Sequence, residues 1–284
     1  RWLIGSRILQ GIGGAMMFGT NMAILTSVFP PGERGRAMGI NVTAVYIGLA
    51  SGPFLGGLLT RYPGWRSIFA LLVPMGIISL ILIRTKMKRE WAEAKGESFD
   101  WTGSVIYGIS MAALMYGFSR LPSAEGWAIT ATGVVLMPLF IMWEKKVVHP
   151  LFDVTLISHN RIFAFSSLAA LIHYAATSAI GFFLSLFLQY IKDLGPREAG
   201  FVLMSWPLTM ALFSPAAGRL SDKYNPGMLA STGMGITSAG LIMLCFLNEQ
   251  TPVTSIVAIL VIMGAGFSLF SSPISNAIMS SVEK

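Results

Sequence analysis

Charge is what this sequence has least of: only 12% of its 284 residues are Asp, Glu, Lys or Arg, against about 25% in soluble globular domains. Cysteine is nearly absent too. The lone Cys245 excludes an intramolecular disulfide and a cysteine metal cluster. His149, His159 and His173 stand too far apart for a helical metal pair, which needs two ligands one turn apart. The apolar stretches are almost free of carboxylates, with Glu144 at the end of one of them, so the paired acids of an intramembrane protease or redox site are missing. GIGGAM, Gly11 to Met16, lacks the last glycine of a dinucleotide fingerprint and sits inside a helical pattern rather than after a strand. The connections are too short for a soluble catalytic domain. No enzyme, cofactor or metal is expected.

What is there is hydrocarbon. Hydrophobic residues make up 54% of the chain and the mean hydropathy is +0.68. Apolar runs of about 17 to 28 residues recur along the whole length, each able to cross a hydrocarbon core roughly 30 Å thick as a helix. The fold class is therefore all-α integral membrane, with about nine spans expected at 2–29, 37–60, 66–83, 102–121, 127–143, 163–191, 198–217, 228–247 and 253–279. The first residue is Arg1 rather than Met, and the first span begins at once, with no basic region or cleavage site of a signal peptide. A piece of a longer protein is expected.

The net charge of +7 is a matter of topology. Alternate connections hold Arg34, Arg36, Arg84, Lys86, Lys88, Arg89, Lys95, Lys145, Lys146, Arg161, Arg219 and Lys223, whereas the other side carries only Arg61, Arg66, Arg120, Lys192 and Arg197 plus Arg1. By the positive-inside rule the rich side is cytoplasmic, and the first span starts outside a plasma membrane. The same distribution removes any need for a nucleic-acid partner.

Arg84 to Trp101 is the longest polar stretch and reads as a cytoplasmic linker or a helix lying on the membrane surface. A repeat is also visible. GIGGAMMFGTNMAILTSV, Gly11 to Val28, aligns with GAGFSLFSSPISNAIMSSV, Gly264 to Val282, given one inserted residue. Two parallel six-helix halves would place equivalent helices six spans apart. The observed eight implies two extra helices between the halves, and the spans after the charged linker fit. The expected organisation is 1–84 as the end of a first half, 85–146 as linker and extra helices, and 147–284 as the start of a second half.

Several motifs then agree with one family. Arg7-Ile-Leu-Gln10-Gly11-Ile-Gly13-Gly14-Ala15 resembles the fourth-helix signature of the major facilitator superfamily, and Gly48-Leu-Ala-Ser-Gly52-Pro53-Phe-Leu-Gly56-Gly57 its fifth-helix antiporter motif. Trp65-Arg66, Phe99-Asp100-Trp101, Ser185 to Tyr190 and Gly218-Arg219-Leu-Ser-Asp222-Lys223 add to the likeness, which is to the fourteen-helix drug:proton antiporter branch over its helices four to twelve. The resemblance implies proton-coupled export of small hydrophobic or cationic solutes by alternating access, with protons and the bilayer as the other partners. Export of a specific metabolite, siderophore or lipid-like solute, uniport, or a non-transporting receptor or scaffold are the alternatives. One departure is Leu72-Val73-Pro74, where the family often has Asn before Val-Pro.

Candidate site residues follow, each beside a plainer reading. Arg7, Gln10, Gly11, Gly14, Phe18 and Asn21 share one helix face. An arginine facing lipid costs about 3 kcal/mol, so Arg7 either lines a proton and substrate pathway or snorkels to the outer headgroups. Gly48, Gly52 and Gly56 form a packing groove beside the helix-bending Pro53 and the neighbouring Gly57; the resemblance adds that this packing favours antiport. Arg219, Asp222 and Lys223, after Gly218, form a turn that is either a capped, solvated ion pair or, by resemblance, a gating latch. His173 and Tyr174 lie mid-span, where the histidine either moves protons or is buried and neutral.

Overall fold

The computed structural model describes residues 2–30, 32–87 and 98–282, without the side chains at 53, 54, 57, 58, 60 and 61. Residues 88–97 of the expected linker, with Lys88, Arg89, Trp91 and Lys95, lie outside the described residues, as do Arg1 and the side chain of Pro53. The rest is a chain of helices: α1 Trp2–Val28, α2 Arg34–Arg61, α3 Arg66–Lys86, α4 Trp101–Arg120, α5 Ala124–Glu144, the short α6 Thr155–His159, α7 Arg161–Ser178, α8 Ile180–Leu186, α9 Pro196–Lys223, α10 Pro226–Cys245 and α11 Val253–Val282.

Local chemistry sets the boundaries. Asp100, Ser123 and Asn225 each turn a side-chain oxygen onto a first-turn N–H, at 2.9 Å from Gly103, 3.0 Å from Gly126 and 2.9 Å from Gly227. Pro196 and Pro226 open α9 and α10, where their missing N–H is not needed. Gly32 and Gly64 adopt positive φ in the tight turns before α2 and α3. Arg34 links two helices: its guanidinium donates to the carbonyls of Thr26 at 2.9 Å and Phe29 at 3.0 Å, binding the end of α1 to the start of α2.

Seven of these segments are long and apolar enough to cross a membrane, counting α7 to residue 191 as one. Of the other two expected spans, α4 is a full-length helix diluted by glycine, serine and threonine, and six side chains towards the end of α2 lie outside the described residues. Small residues of α4 serve packing instead, with Gly103, Ser110 and Gly117 buried. The expected sixth span is broken: α7 stops at Ser178, α8 restarts at Ile180, and Phe187–Ile191 winds as a π-helical turn. Hydroxyls of Thr177 and Ser178 bond back to the carbonyls of His173 and Ala175 in the last turn of α7, which loosens the helix there.

The chain divides into two compact units. In residues 92–164, α4 and α5 pair as a hairpin on small residues. A Cβ at Gly117 would lie 2.6 Å from the backbone N of Thr130, and Ser110 Oγ donates to the carbonyl of Gly133 at 2.8 Å. The other unit holds α1–α3 and the helices from Phe165 onward. Its core is α11, which buries fourteen residues against α2, α9 and α10, whereas α1 and α3 bury none. Gly233 and Gly266 let α10 and α11 touch backbone to backbone: a Cβ on Gly233 would meet the Gly266 carbonyl at 2.5 Å.

Candidate functional site

Two places in the larger unit concentrate polar groups, and α11 supplies both. Ser268, Ser271, Ser272 and Asn276 recur every three or four residues along one face of an otherwise hydrocarbon helix. The three serines are buried and Asn276 is half-buried. Each finds a partner on another helix. Ser268 Oγ donates to the Met210 carbonyl of α9 at 3.1 Å, Ser271 meets two tyrosines, Ser272 Oγ lies 3.5 Å from the Gly35 carbonyl of α2, and Asn276 Nδ2 reaches Ser221 Oγ of α9 at 3.3 Å.

The first place carries Arg34, Arg36, Arg219 and Lys223. Here the start of α2 meets the end of α9. Asp222 sits in the last turn of its own helix, where the macrodipole disfavours a negative charge. Its oxygens instead accept from the first N–H groups of α2, Gly35 at 2.7 Å and Arg36 at 2.8 Å. The positive end of α2 thus offsets what α9 withholds. Glycine makes the approach possible. A Cβ on Gly35 would stand 2.2 Å from Ser221 Oγ and 2.5 Å from the Gly218 carbonyl, and one on Gly218 would stand 2.3 Å from the Gly35 carbonyl. Gly39 repeats the contact a turn later, 2.6 Å from the Ser214 carbonyl.

The second place is an aromatic cluster halfway along the helices. Phe267 of α11 is its hub, with ring centroids of His173 at 4.9 Å, Tyr174 at 5.5 Å, Tyr46 at 6.0 Å and Trp206 at 6.1 Å. Tyr46, Trp206 and Tyr174 all stand steeply to its plane, the edge-to-face geometry that a ring quadrupole favours. His173 lies on Phe270, centroids 3.9 Å apart and 31° between planes. The hydroxyls of Tyr46 and Tyr174 converge on Ser271 Oγ at 3.5 and 3.2 Å. His173 and Tyr46 are buried and Trp206 is half-buried, whereas Tyr174 is 44% exposed and opens the cluster on one side. His173 Nε2 and Trp206 Nε1 are buried atoms without a hydrogen-bond partner among the described residues.

Of the residues singled out from sequence, His173 and Tyr174 meet in this cluster, and Gly218 and Asp222 meet at the α2–α9 junction. Arg219 and Lys223 are exposed beside it. Asp222 does not cap its own helix; it caps α2. Arg7 is exposed on α1, donating to Gln10 Oε1 at 2.9 Å with its guanidinium 5.0 Å from the Phe69 ring centroid. Asn21 Nδ2 donates to Asn41 Oδ1 of α2 at 3.0 Å. A Cβ at Gly11, Gly48, Gly52 or Gly56 would meet nothing within 4 Å among the described residues, so no described helix fills the Gly48–Gly56 groove. Gly57 lies in the backbone of α2 beside it. Sequence reasoning passed over Gly35, Gly39, Tyr46, Trp206, Phe267 and Ser271. The Gly35–Gly39 spacing and the serine row of α11 were the available signals.

Comparison with known proteins agrees with this architecture. Residues 1–284 match the family model of the Major Facilitator Superfamily. The chain is 30% identical to a riboflavin transporter of Clostridioides difficile over 280 residues, 99% of this chain and 61% of that protein. It is 29% identical to a multidrug resistance protein of Mycobacterium tuberculosis over 287 residues, 99% and 53% of the two. A tetracenomycin C resistance and export protein of Streptomyces glaucescens is 30% identical over 241 residues, 83% and 44%. The chain thus spans about half to three fifths of the length of these first relatives.

Proposed function

The chain belongs to the major facilitator superfamily, a family of multi-pass membrane transporters, and we propose that it forms part of a proton-coupled exporter of hydrophobic or cationic compounds. In this reading it supplies nine of fourteen membrane helices, α2 and α4 included, with the basic loops cytoplasmic and α1 starting outside the plasma membrane. Residues 1–84 belong to one half and 147–284 to the other, with the extra helices between. Solute binds in the mid-depth aromatic cluster, since transporter sites lie near the bilayer midplane between the halves. Arg7, Gln10, Gly11 and Asn21 line the proton and solute path on α1. The Gly48–Gly57 segment packs against helices beyond the described residues and seals one side.

The observation that carries the reading is the α2–α9 junction. Asp222 joins two helices assigned to different halves through two hydrogen bonds to the Gly35 and Arg36 N–H groups. Such a contact closes the cytoplasmic side in one access state and opens in the other. A scaffold has no need of it. Relatives named for drug resistance and export support the direction of transport. The relative named a riboflavin transporter supports the second reading, movement of one specific metabolite by the same machinery.

The test uses the complete parent protein in everted vesicles energised by respiration, following internal pH as a solute is added. Proton release on addition is expected, reduced in both Arg7→Ala and Asp222→Asn. No proton movement with any solute would overturn coupling, and release unchanged in Arg7→Ala would remove the arginine from the path.

A further inference from the structure

The aromatic cluster has a chemical peculiarity that its packing does not explain. A slot made of rings from α2, α7 and α9 is filled by Phe267, a hydrocarbon, yet its walls include two buried ring nitrogens with nothing to bond, His173 Nε2 and Trp206 Nε1. Leaving a buried polar atom unpaired is costly, and nearly all such atoms in folded proteins have partners. Among the described residues, the unpartnered buried side-chain atoms are these two and Glu144 Oε1. Two of the three therefore belong to rings packed round one phenylalanine.

We infer that Phe267 is a resident plug standing where a solute ring binds, and that the solute is a flat, uncharged aromatic compound carrying carbonyl oxygens. This rests on the exporter reading given above and narrows it. Flatness follows from the walls, because Tyr46, Trp206 and Tyr174 already hold one planar ring edge-on at centroid distances of 5.5 to 6.1 Å. The carbonyl follows from Trp206, since an indole N–H only donates and is satisfied only by an acceptor. His173 Nε2 donates or accepts according to its tautomer, so it adapts to either group on the same ring system. The absence of charge follows from the surroundings. The groups packed round the hub are tyrosine and serine hydroxyls, the two nitrogens and hydrocarbon, with no carboxylate hydrogen-bonded to any of them among the described residues. A cation would have only ring faces to offset its desolvation. Tyr174, the exposed member, marks the side from which a solute enters as Phe267 swings away.

The experiment measures binding to the purified full-length protein in detergent with three probes: a neutral dihydroxyanthraquinone, flat with two carbonyls; an alkylanthracene of the same ring shape without them; and tetraphenylphosphonium. Wild type is expected to bind the anthraquinone most tightly. Trp206→Phe, which keeps a ring and removes the N–H, is expected to weaken the anthraquinone by roughly five- to tenfold, the worth of one hydrogen bond, and to leave the other two unchanged. Phe267→Ala is expected to tighten both flat probes by removing their competitor. Equal weakening of all three probes by Trp206→Phe, or no weakening of any, would overturn the inference and leave Trp206 a packing residue. Tightest binding of the phosphonium, unaffected by either variant, would overturn the solute class while leaving the exporter reading standing. Tight anthraquinone binding with no solute-driven proton movement in vesicles would overturn the exporter reading instead, and with it the transport meaning of the slot.

Discussion

α1 and α11 carry the two copies of the sequence repeat, yet they live in opposite surroundings. Gly11 and Gly13 open one copy, and Gly264 and Gly266 open the other. A Cβ on either glycine of α1 would meet nothing within 4 Å. On Gly264 it would stand 2.8 Å from Thr209 Cβ, and on Gly266 2.8 Å from the Thr237 backbone N. Half of the most apolar window of α11 is buried inside the protein and none of that of α1. A glycine pattern permits close approach between helices, but a partner with matching small residues decides whether the approach happens.

The sharpest way to break this comparison is to put bulk at equivalent glycines. Gly266→Leu forces a side chain into the α10 backbone and is expected to cost about 3 kcal/mol or more, the upper range of overpacking, seen as loss of the monodisperse peak and of cooperative thermal unfolding in detergent. Gly13→Leu is expected to leave both unchanged. A Gly13→Leu protein that unfolds would instead place a close partner on α1.

Next in size is the junction that α11 helps to brace. Asp222→Asn keeps the shape and removes the charge from the N-terminus of α2, with an expected loss of about 1–2 kcal/mol in thermal unfolding. Gly35→Ala is expected to match or exceed it, because the new methyl group meets backbone and Ser221 Oγ. Smaller still are the hydroxyls. Ser268→Ala breaks a bond from α11 to the Met210 carbonyl of α9 and is expected to cost roughly 0.6 kcal/mol, typical of interhelical hydrogen bonds in membranes. Thr20→Ala on α1, whose hydroxyl bonds carbonyls of its own helix at Met16 and Met17, is expected to change stability by less. Smallest is Gly11→Ala, expected within about 0.5 kcal/mol of wild type and on the stable side, since alanine is the better helix former and nothing stands in its way.

Much of the fold was legible because lipid imposes a simple demand. A segment near twenty residues without charge must bond its own backbone, so every expected span is helical. Length and hydropathy did not reveal which small residues are in use: Gly35 and Gly39 of α2 touch α9, and Gly117 of α4 touches Thr130, whereas Gly48 and Gly52 meet no described residue. The break between α7 and α8 at Ala179 was equally hidden, for no proline marks it. At the candidate site, Asp222 and Gly218 were legible as a turn motif, but their partner Gly35 lies 187 residues from Asp222. His173 and Tyr174 stood out as polar residues in hydrocarbon. Phe267 and Trp206 did not, because an aromatic residue in an apolar run carries no mark of what surrounds it.

The sequence by itself determined the solvent of this protein, its helical backbone and the small residues available for close contact. These are properties of single segments, set by transfer free energy and backbone hydrogen bonding. Only the tertiary structure decided which glycines are in use, that the Asp222 carboxylate sits on the N–H groups of another helix, and that rings from three other helices gather round Phe267 of α11. Each of those depends on distance between segments remote in sequence, and short-range forces act only once packing has brought the groups within reach.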